Sequence, residues 1–67
     1  MPKFTHKDWG GIVARRFCLT PRAAELVLAR IDADNPQRAF NIVANSDNPV
    51  ELVLGTLAEI PTEDLTK

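Results

Sequence analysis

Apolar residues recur every three or four positions through most of the chain, which is the spacing that places side chains on one face of an α-helix. This pattern predicts four short helices, at about residues 6–18, 21–33, 36–45 and 49–60. The polar residues 62–67 are predicted to form a frayed tail. We therefore expect an all-α fold, a compact bundle of four short helices that forms a single domain over residues 1–67.

Cap residues support these helix boundaries. Three of the four helices begin with a capping side chain followed by proline, at Thr20-Pro21, Asn35-Pro36 and Asn48-Pro49. The capping oxygen accepts a hydrogen bond from a backbone N–H of the first turn, and proline at the first helical position has no N–H to leave unsatisfied. The first helix is predicted to begin instead with a capping box between Thr5 and Asp8.

The helical period assigns a core face to each predicted helix. In chain order, the residues expected to face the core are Trp9, Gly10, Val13 and Phe17, then Ala24, Val27, Leu28 and Ile31, then Ala39, Phe40 and Val43, then Val50, Val53, Leu57 and Ile60. Two features do not fit a simple amphipathic pattern. The Gly10-Gly11 pair indicates close packing, a bend or a frayed first turn. Leu26 lies on a more polar face, as a second packing surface or a contact for a partner.

Charge is divided unevenly between the two halves of the chain. Residues 1–30 contain six basic and two acidic side chains, a balance of +4, whereas residues 31–67 contain two basic and seven acidic ones, a balance of −5. This asymmetry permits a surface that faces a polyanion, or head-to-tail self-association. A core of this size supplies only about 3–5 kcal/mol, so a homodimer is a reasonable expectation as well.

Catalytic and metal-binding chemistry has few candidates. The chain contains one histidine, His6, and one cysteine, Cys18, about a helix apart, so they do not form a nucleophile and base pair. Asp32-Ala33-Asp34 resembles the start of a calcium loop but lacks the glycine and the glutamate that such a loop requires. We expect no enzymatic activity, no metal and no cofactor.

Localisation follows from similar arguments. A single cysteine allows no intrachain disulfide, which is typical of a reducing compartment. No apolar run reaches the roughly 20 residues that span a bilayer, and the N-terminus lacks the apolar stretch of a signal peptide. We therefore expect a cytoplasmic protein without a membrane partner.

The segment from Ile12 to Ile31 resembles a helix-turn-helix of the LuxR and sigma-factor types, in which the second helix enters the major groove of DNA. The turn glycine of that family is Cys18 here. The resemblance implies DNA binding and transcription regulation, with Thr20 capping the second helix beside a phosphate and Arg22 reaching a base edge or a phosphate. The nucleic-acid-binding residues expected on this hypothesis are Arg15, Arg16, Thr20, Arg22 and Glu25.

A second resemblance is to ubiquitin-associated-like three-helix domains. Phe17-Cys18-Leu19 stands where their Met-Gly-Phe loop is expected, and residues 35–40 are similar to the opening of their third helix. This layout implies a protein–protein interaction module, such as an adaptor, an inhibitor or an immunity-type protein, that uses an apolar helix surface. Its expected contact residues are Phe17, Leu19, Leu26 and Leu52. The sequence thus predicts a non-enzymatic binding domain, with DNA binding as the first hypothesis and protein binding as the alternative.

Overall fold

A computed structural model describes residues 5–65, which form helices and short connections without a strand. In chain order the helices are α1 (His6–Phe17), α2 (Pro21–Ile31), α3 (Pro36–Ala44), α4 (Pro49–Ala58) and α5 (Thr62–Leu65). The predicted all-α bundle is confirmed. The four predicted helices are present with the expected starts, and each ends one or two residues earlier than predicted.

Local capping chemistry fixes the helix starts. The side chains of Thr20, Asn35 and Asn48 accept hydrogen bonds at 3.1–3.2 Å from the backbone N–H of the third residue of their helices. A proline follows each of them at the first helical position. At the start of α1, Thr5 and Asp8 form the expected capping box.

Helix α2 lies at the centre of the bundle and packs against each of the other four helices. It contributes to both groups of buried side chains. The first group is Val13, Ala14, Ala24, Leu28 and Ala39, and the second is Val27, Val43, Val53 and Ile60. Phe17, Leu19 and Ile31 pack against both groups, which joins them into one core.

Gly10 marks the closest approach of two helices. A Cβ atom built at Gly10 would lie 2.9 Å from the backbone nitrogen of Glu25 and 3.0 Å from its Cα atom, so only glycine allows α1 and α2 to come this close. Close packing is therefore the correct one of the three readings of the glycine pair. A Cβ atom at Gly11 would meet no heavy atom within 4 Å.

The C-terminal segment differs from the prediction. Residues 62–65, expected to be frayed, form the single turn α5, and Leu65 packs against the second group of core residues. Packing of the half-buried Leu65 and a hydrogen bond from Arg22 Nε to the backbone carbonyl of Asp64 hold this turn against α2. Residues 66–67 of the predicted tail lie outside the described residues.

Three of the four residues assigned to the core face around α4 are placed as predicted, since Val53 and Ile60 are buried and Leu57 packs against the second core group; Val50 is the exception. Val50, assigned to the core face, is 51% exposed, whereas Leu52 packs against the second core group. Residues i and i+2 lie on nearly opposite sides of a helix, so Val50 and Leu52 cannot both face the core. The larger leucine is the one that packs against the core, where it is half-buried.

Asp32 ties the connection between α2 and α3 together. Its carboxylate accepts hydrogen bonds from the backbone N–H groups of Asp34 and Asn35 at 3.1 Å and from the guanidinium of Arg38. His6 Nε2 donates to the backbone carbonyl of Asp32 at 2.7 Å, which attaches α1 to the same connection. The hydrogen bond from Arg38 is the main cause that holds the pKa of Asp32 below its ordinary value.

This shift predicts an acid-dependent contribution to stability. Because the folded pKa of Asp32 is lower than the unfolded value of 3.8, its ionised form stabilises the fold above that pH, and the contribution is lost as the pH falls through the folded pKa. We expect Asp32→Asn to be less stable than the parent near neutral pH, and the gap to narrow below pH 3.8. Urea unfolding of both proteins along a pH series measures this gap. A gap that widens in acid would contradict the assignment.

Candidate functional site

The turn between α1 and α2 contains three residues and a left-handed backbone conformation. Cys18 has φ 57° and ψ 42°, the region that glycine favours, and it is the one non-glycine residue with positive φ among residues 5–65. The N–H of Leu19 donates to the carbonyl of Ala14 at 2.9 Å, the bond that closes a Schellman-type helix end. Cysteine therefore adopts the conformation of the glycine that both resembled families have at this position.

Two of the residues predicted to bind nucleic acid are accessible cations. Arg15 and Arg16 lie in the last turn of α1, are exposed, and form no ion pair within the described part of the chain. Thr20 is exposed too, but its hydroxyl accepts the capping hydrogen bond from the N–H of Ala23 at 3.2 Å.

The other two predicted nucleic-acid contacts face each other. Arg22 Nη1 lies 3.6 Å from Glu25 Oε1, and Arg22 Nε donates to the backbone carbonyl of Asp64 in α5 at 3.4 Å. The Arg22 side chain remains 41% exposed. Contact of Arg22 with a base edge would therefore require it to leave both partners.

Helix α2 offers little surface to a groove of DNA. Within Pro21–Ile31, Pro21 and Arg30 are exposed and the side chain of Arg22 is 41% exposed. Arg30 pairs with Glu59 at 3.4 Å. A recognition helix needs a free face several residues long to enter the major groove. In this bundle α2 also packs against α3, α4 and α5, which leaves only part of its surface for a groove of DNA.

The four leucine and phenylalanine positions of the protein-binding hypothesis are half-buried. Phe17 and Leu19 pack against both core groups, and Leu26 and Leu52 pack against the second. Leu26 thus has the first of its two predicted roles, a second packing surface. These side chains support the fold, and only part of each remains available to a partner.

A small groove lies where α1, α3 and the start of α4 meet. It has a volume of about 50 Å³ and is lined by Arg16, Phe17, Phe40, Val43, Ala44 and Pro49. A water molecule needs roughly 10–15 Å³ on this measure, so the groove has room for about three to five waters, or for one aliphatic side chain. Its wall is braced, because the ring of Phe40 stacks against Trp9 with centroids 5.0 Å apart.

The sequence interpretation identified only part of this groove. Arg16 is a predicted DNA contact and Phe17 a predicted contact of a protein partner, whereas no contact is predicted for Ala44 and Pro49. The groove forms because the helix ends do not pack completely, and the period of a single helix carries no signal for such a junction.

Four large apolar side chains among residues 5–65 are exposed elsewhere on the surface: Ile12 at 50%, Ile42 at 44%, Val50 at 51% and Leu54 at 51%. Val50 and Leu54 are one turn apart on α4 and form an apolar stripe with the exposed Ala58. None of these residues was predicted as a contact. Exposed apolar side chains grouped on one helix are a recognised mark of interaction surfaces.

Comparisons with protein-family models, with curated protein sequences and with solved structures gave no match to this chain. Within residues 5–65, no group of histidine, cysteine and acidic side chains is arranged to hold a metal ion. In the same range, no helix has the length and apolar character needed to cross a bilayer.

Proposed function

We propose that this domain is a protein-binding module that accepts one aliphatic side chain of a partner in the groove between α1, α3 and α4. The observation that carries the proposal is an apolar groove lined in part by the exposed Arg16, which forms no ion pair with any residue that the structure describes. Arg16 then pairs with a carboxylate next to the inserted side chain. The partner is a segment in which an aliphatic residue is flanked by acidic residues.

The groove provides a favourable site for such a segment. Phe17, Phe40 and Val43 present apolar walls, and burying one leucine side chain against them contributes about 1.5–3 kcal/mol. Within residues 5–65, the guanidinium of Arg16 forms no ion pair that a ligand must displace. The apolar anchor alone corresponds to a Kd of roughly 10–100 mM. A charge-assisted hydrogen bond between Arg16 and a flanking carboxylate, worth about 1.5–3 kcal/mol, brings the Kd of a short peptide to the order of 1 mM.

A peptide titration followed by NMR tests this function. The probe is an acetylated and amidated tripeptide, Asp-Leu-Asp, added to the ¹⁵N-labelled domain, with Asp-Asn-Asp as the matched control peptide. We expect saturable shifts at the amides of Phe40, Val43 and Ala44 with the leucine peptide and none with the asparagine peptide. Equal shifts with both peptides, or shifts confined to other helices, would contradict the assignment.

Two neighbouring arginines allow a matched comparison of variants. Arg16→Glu should weaken binding of the leucine peptide at least about tenfold, because it replaces attraction to the flanking carboxylates by repulsion. Arg15→Glu makes the same change of charge at an exposed position that does not line the groove, and it should have a much smaller effect. Equal losses in the two variants would indicate a general charge effect and not a built site.

Nucleic-acid binding is the second candidate function, favoured by the left-handed three-residue turn and by the exposed Arg15 and Arg16 at the end of α1. On this hypothesis the two arginines bind phosphates beside the N-terminus of α2. Affinity for a short DNA duplex should fall steeply as salt rises, and Arg15→Ala should reduce the salt dependence. Fluorescence anisotropy at two salt concentrations measures both effects. Folded protein that does not bind at low salt would exclude this candidate.

A further inference from the structure

We infer that the domain also associates with a second copy of itself, head to tail, through the exposed face of α1 on one copy and the exposed face of α4 on the other. These surfaces do not include the groove, so the inference does not rest on the function proposed above. It rests on two apolar patches that carry opposite charges at the same spacing.

On α1 the patch consists of Ile12 and Arg15. Ile12 is 50% exposed and Arg15 is exposed, and both lie on the side away from the buried Gly10, Val13 and Ala14. Arg15 forms no ion pair within residues 5–65. The face therefore presents an aliphatic side chain with an available cation three residues further along.

On α4 the patch consists of Leu54, Ala58 and Glu51. Leu54 is 51% exposed, and the neighbouring Ala58 and Gly55 are exposed and small, which lets another helix approach closely. Glu51 is exposed and interacts with the neutral amide of Asn48 at 3.0 Å, so its negative charge is not compensated there. This face presents an aliphatic side chain with an anion three residues before it.

The spacing selects one orientation of the two helices. An α-helix rises 1.5 Å per residue, so two residues three positions apart are separated by roughly 4.5 Å along its axis. This separation is the same for Ile12 and Arg15 on α1 as for Glu51 and Leu54 on α4. When the helices run antiparallel with Ile12 against Leu54, Arg15 faces Glu51. Asp8, one turn before Ile12, then faces the uncharged Ala58, so no like charges meet.

The two patches differ, so each copy has one of each and the contact does not close on itself as a symmetric dimer does. The division of charge along the chain, +4 in residues 1–30 and −5 in residues 31–67, favours the same head-to-tail arrangement. An interface built on one helix from each copy falls below the roughly 1,000 Å² of a stable complex, so the association is weak and sensitive to salt.

Analytical ultracentrifugation of the full chain tests the inference, with protein from about 20 µM to about 1 mM. The weight-average mass of the parent should rise above the 7.4 kDa of one chain with concentration, and raised salt should reverse the rise. Ile12→Glu and Leu54→Glu should each abolish the rise in mass with concentration, because each places a carboxylate in one of the two apolar patches. Both positions are half-exposed helix sites where glutamate is a good helix former, and circular dichroism confirms that the variants are folded.

Mixing the two variants gives the decisive measurement. Ile12→Glu keeps an intact α4 face and Leu54→Glu keeps an intact α1 face, so an equimolar mixture should form a complex of two chains and no larger species. The altered faces both carry glutamate and repel each other. A parent that stays at the mass of one chain throughout, or a mixture that remains monomeric, overturns the inference. So does either variant if it associates like the parent. None of these results affects peptide binding in the groove, which Arg16→Glu tests separately.

Discussion

Gly10→Ala is expected to destabilise the domain by about 1–3 kcal/mol, although alanine is by itself the better helix former by up to about 1 kcal/mol. The added Cβ atom would lie 2.9 Å from the backbone nitrogen of Glu25. The backbone of α1 fixes the position of the Cβ atom and the nitrogen belongs to the backbone of α2, so a side-chain rotation cannot relieve the contact. α1 and α2 must move apart, and the core between them loses contact.

Urea unfolding followed by circular dichroism measures this change, and Gly11→Ala is the matched control. The second substitution makes the same chemical change one residue later, where a Cβ atom meets no heavy atom within 4 Å. It should stabilise the domain by about 0.5–1 kcal/mol through helix propensity alone. We expect the free energy of unfolding to fall for Gly10→Ala and to rise for Gly11→Ala. A rise of similar size for both variants would refute the close approach of α1 and α2.

Leu28→Ala is expected to leave little folded protein at 25 °C. Leu28 is completely buried in the first core group, and truncating a buried leucine removes about 2–5 kcal/mol. A domain of this size has only about 3–5 kcal/mol of stability to lose. Its other neighbours in that group are small, mainly Ala14, Ala24 and Ala39, so they cannot expand to fill the cavity.

The helical circular dichroism signal in the absence of denaturant checks this expectation. Leu54→Ala serves as the control, because it makes the same truncation at a side chain that is 51% exposed, and it should retain a parent-like signal. A Leu28→Ala protein as stable as the parent would mean that the core of α2 is not packed as described.

The helix starts could be predicted from the sequence because capping is local. A threonine or asparagine before a proline determines the hydrogen bond and the backbone angle within four residues, and the contacts of Thr20, Asn35 and Asn48 are as expected. The close approach at Gly10 was among the predicted readings of the glycine pair, since a glycine inside a helix is retained at a cost that packing can offset.

Features that depend on how helices rotate against one another could not be predicted. The choice between Val50 and Leu52 for the core face of α4 is set by α2 and α3, which the pattern of α4 alone does not describe. The order of α5 depends on a single leucine in a polar segment. Similarly, the sequence gives no sign that Arg22 contacts Asp64, because the two residues are far apart along the chain.

The central position of α2 also determines how the domain opens. Every other helix packs against α2, so exposing its backbone requires several helices to separate together. Amide protons in the middle of α2 should therefore exchange with solvent only through global unfolding, whereas those of the one-turn α5 exchange through local opening. We therefore expect the four longer helices to unfold as one cooperative unit, whose slowest-exchanging amides report the full stability of the domain.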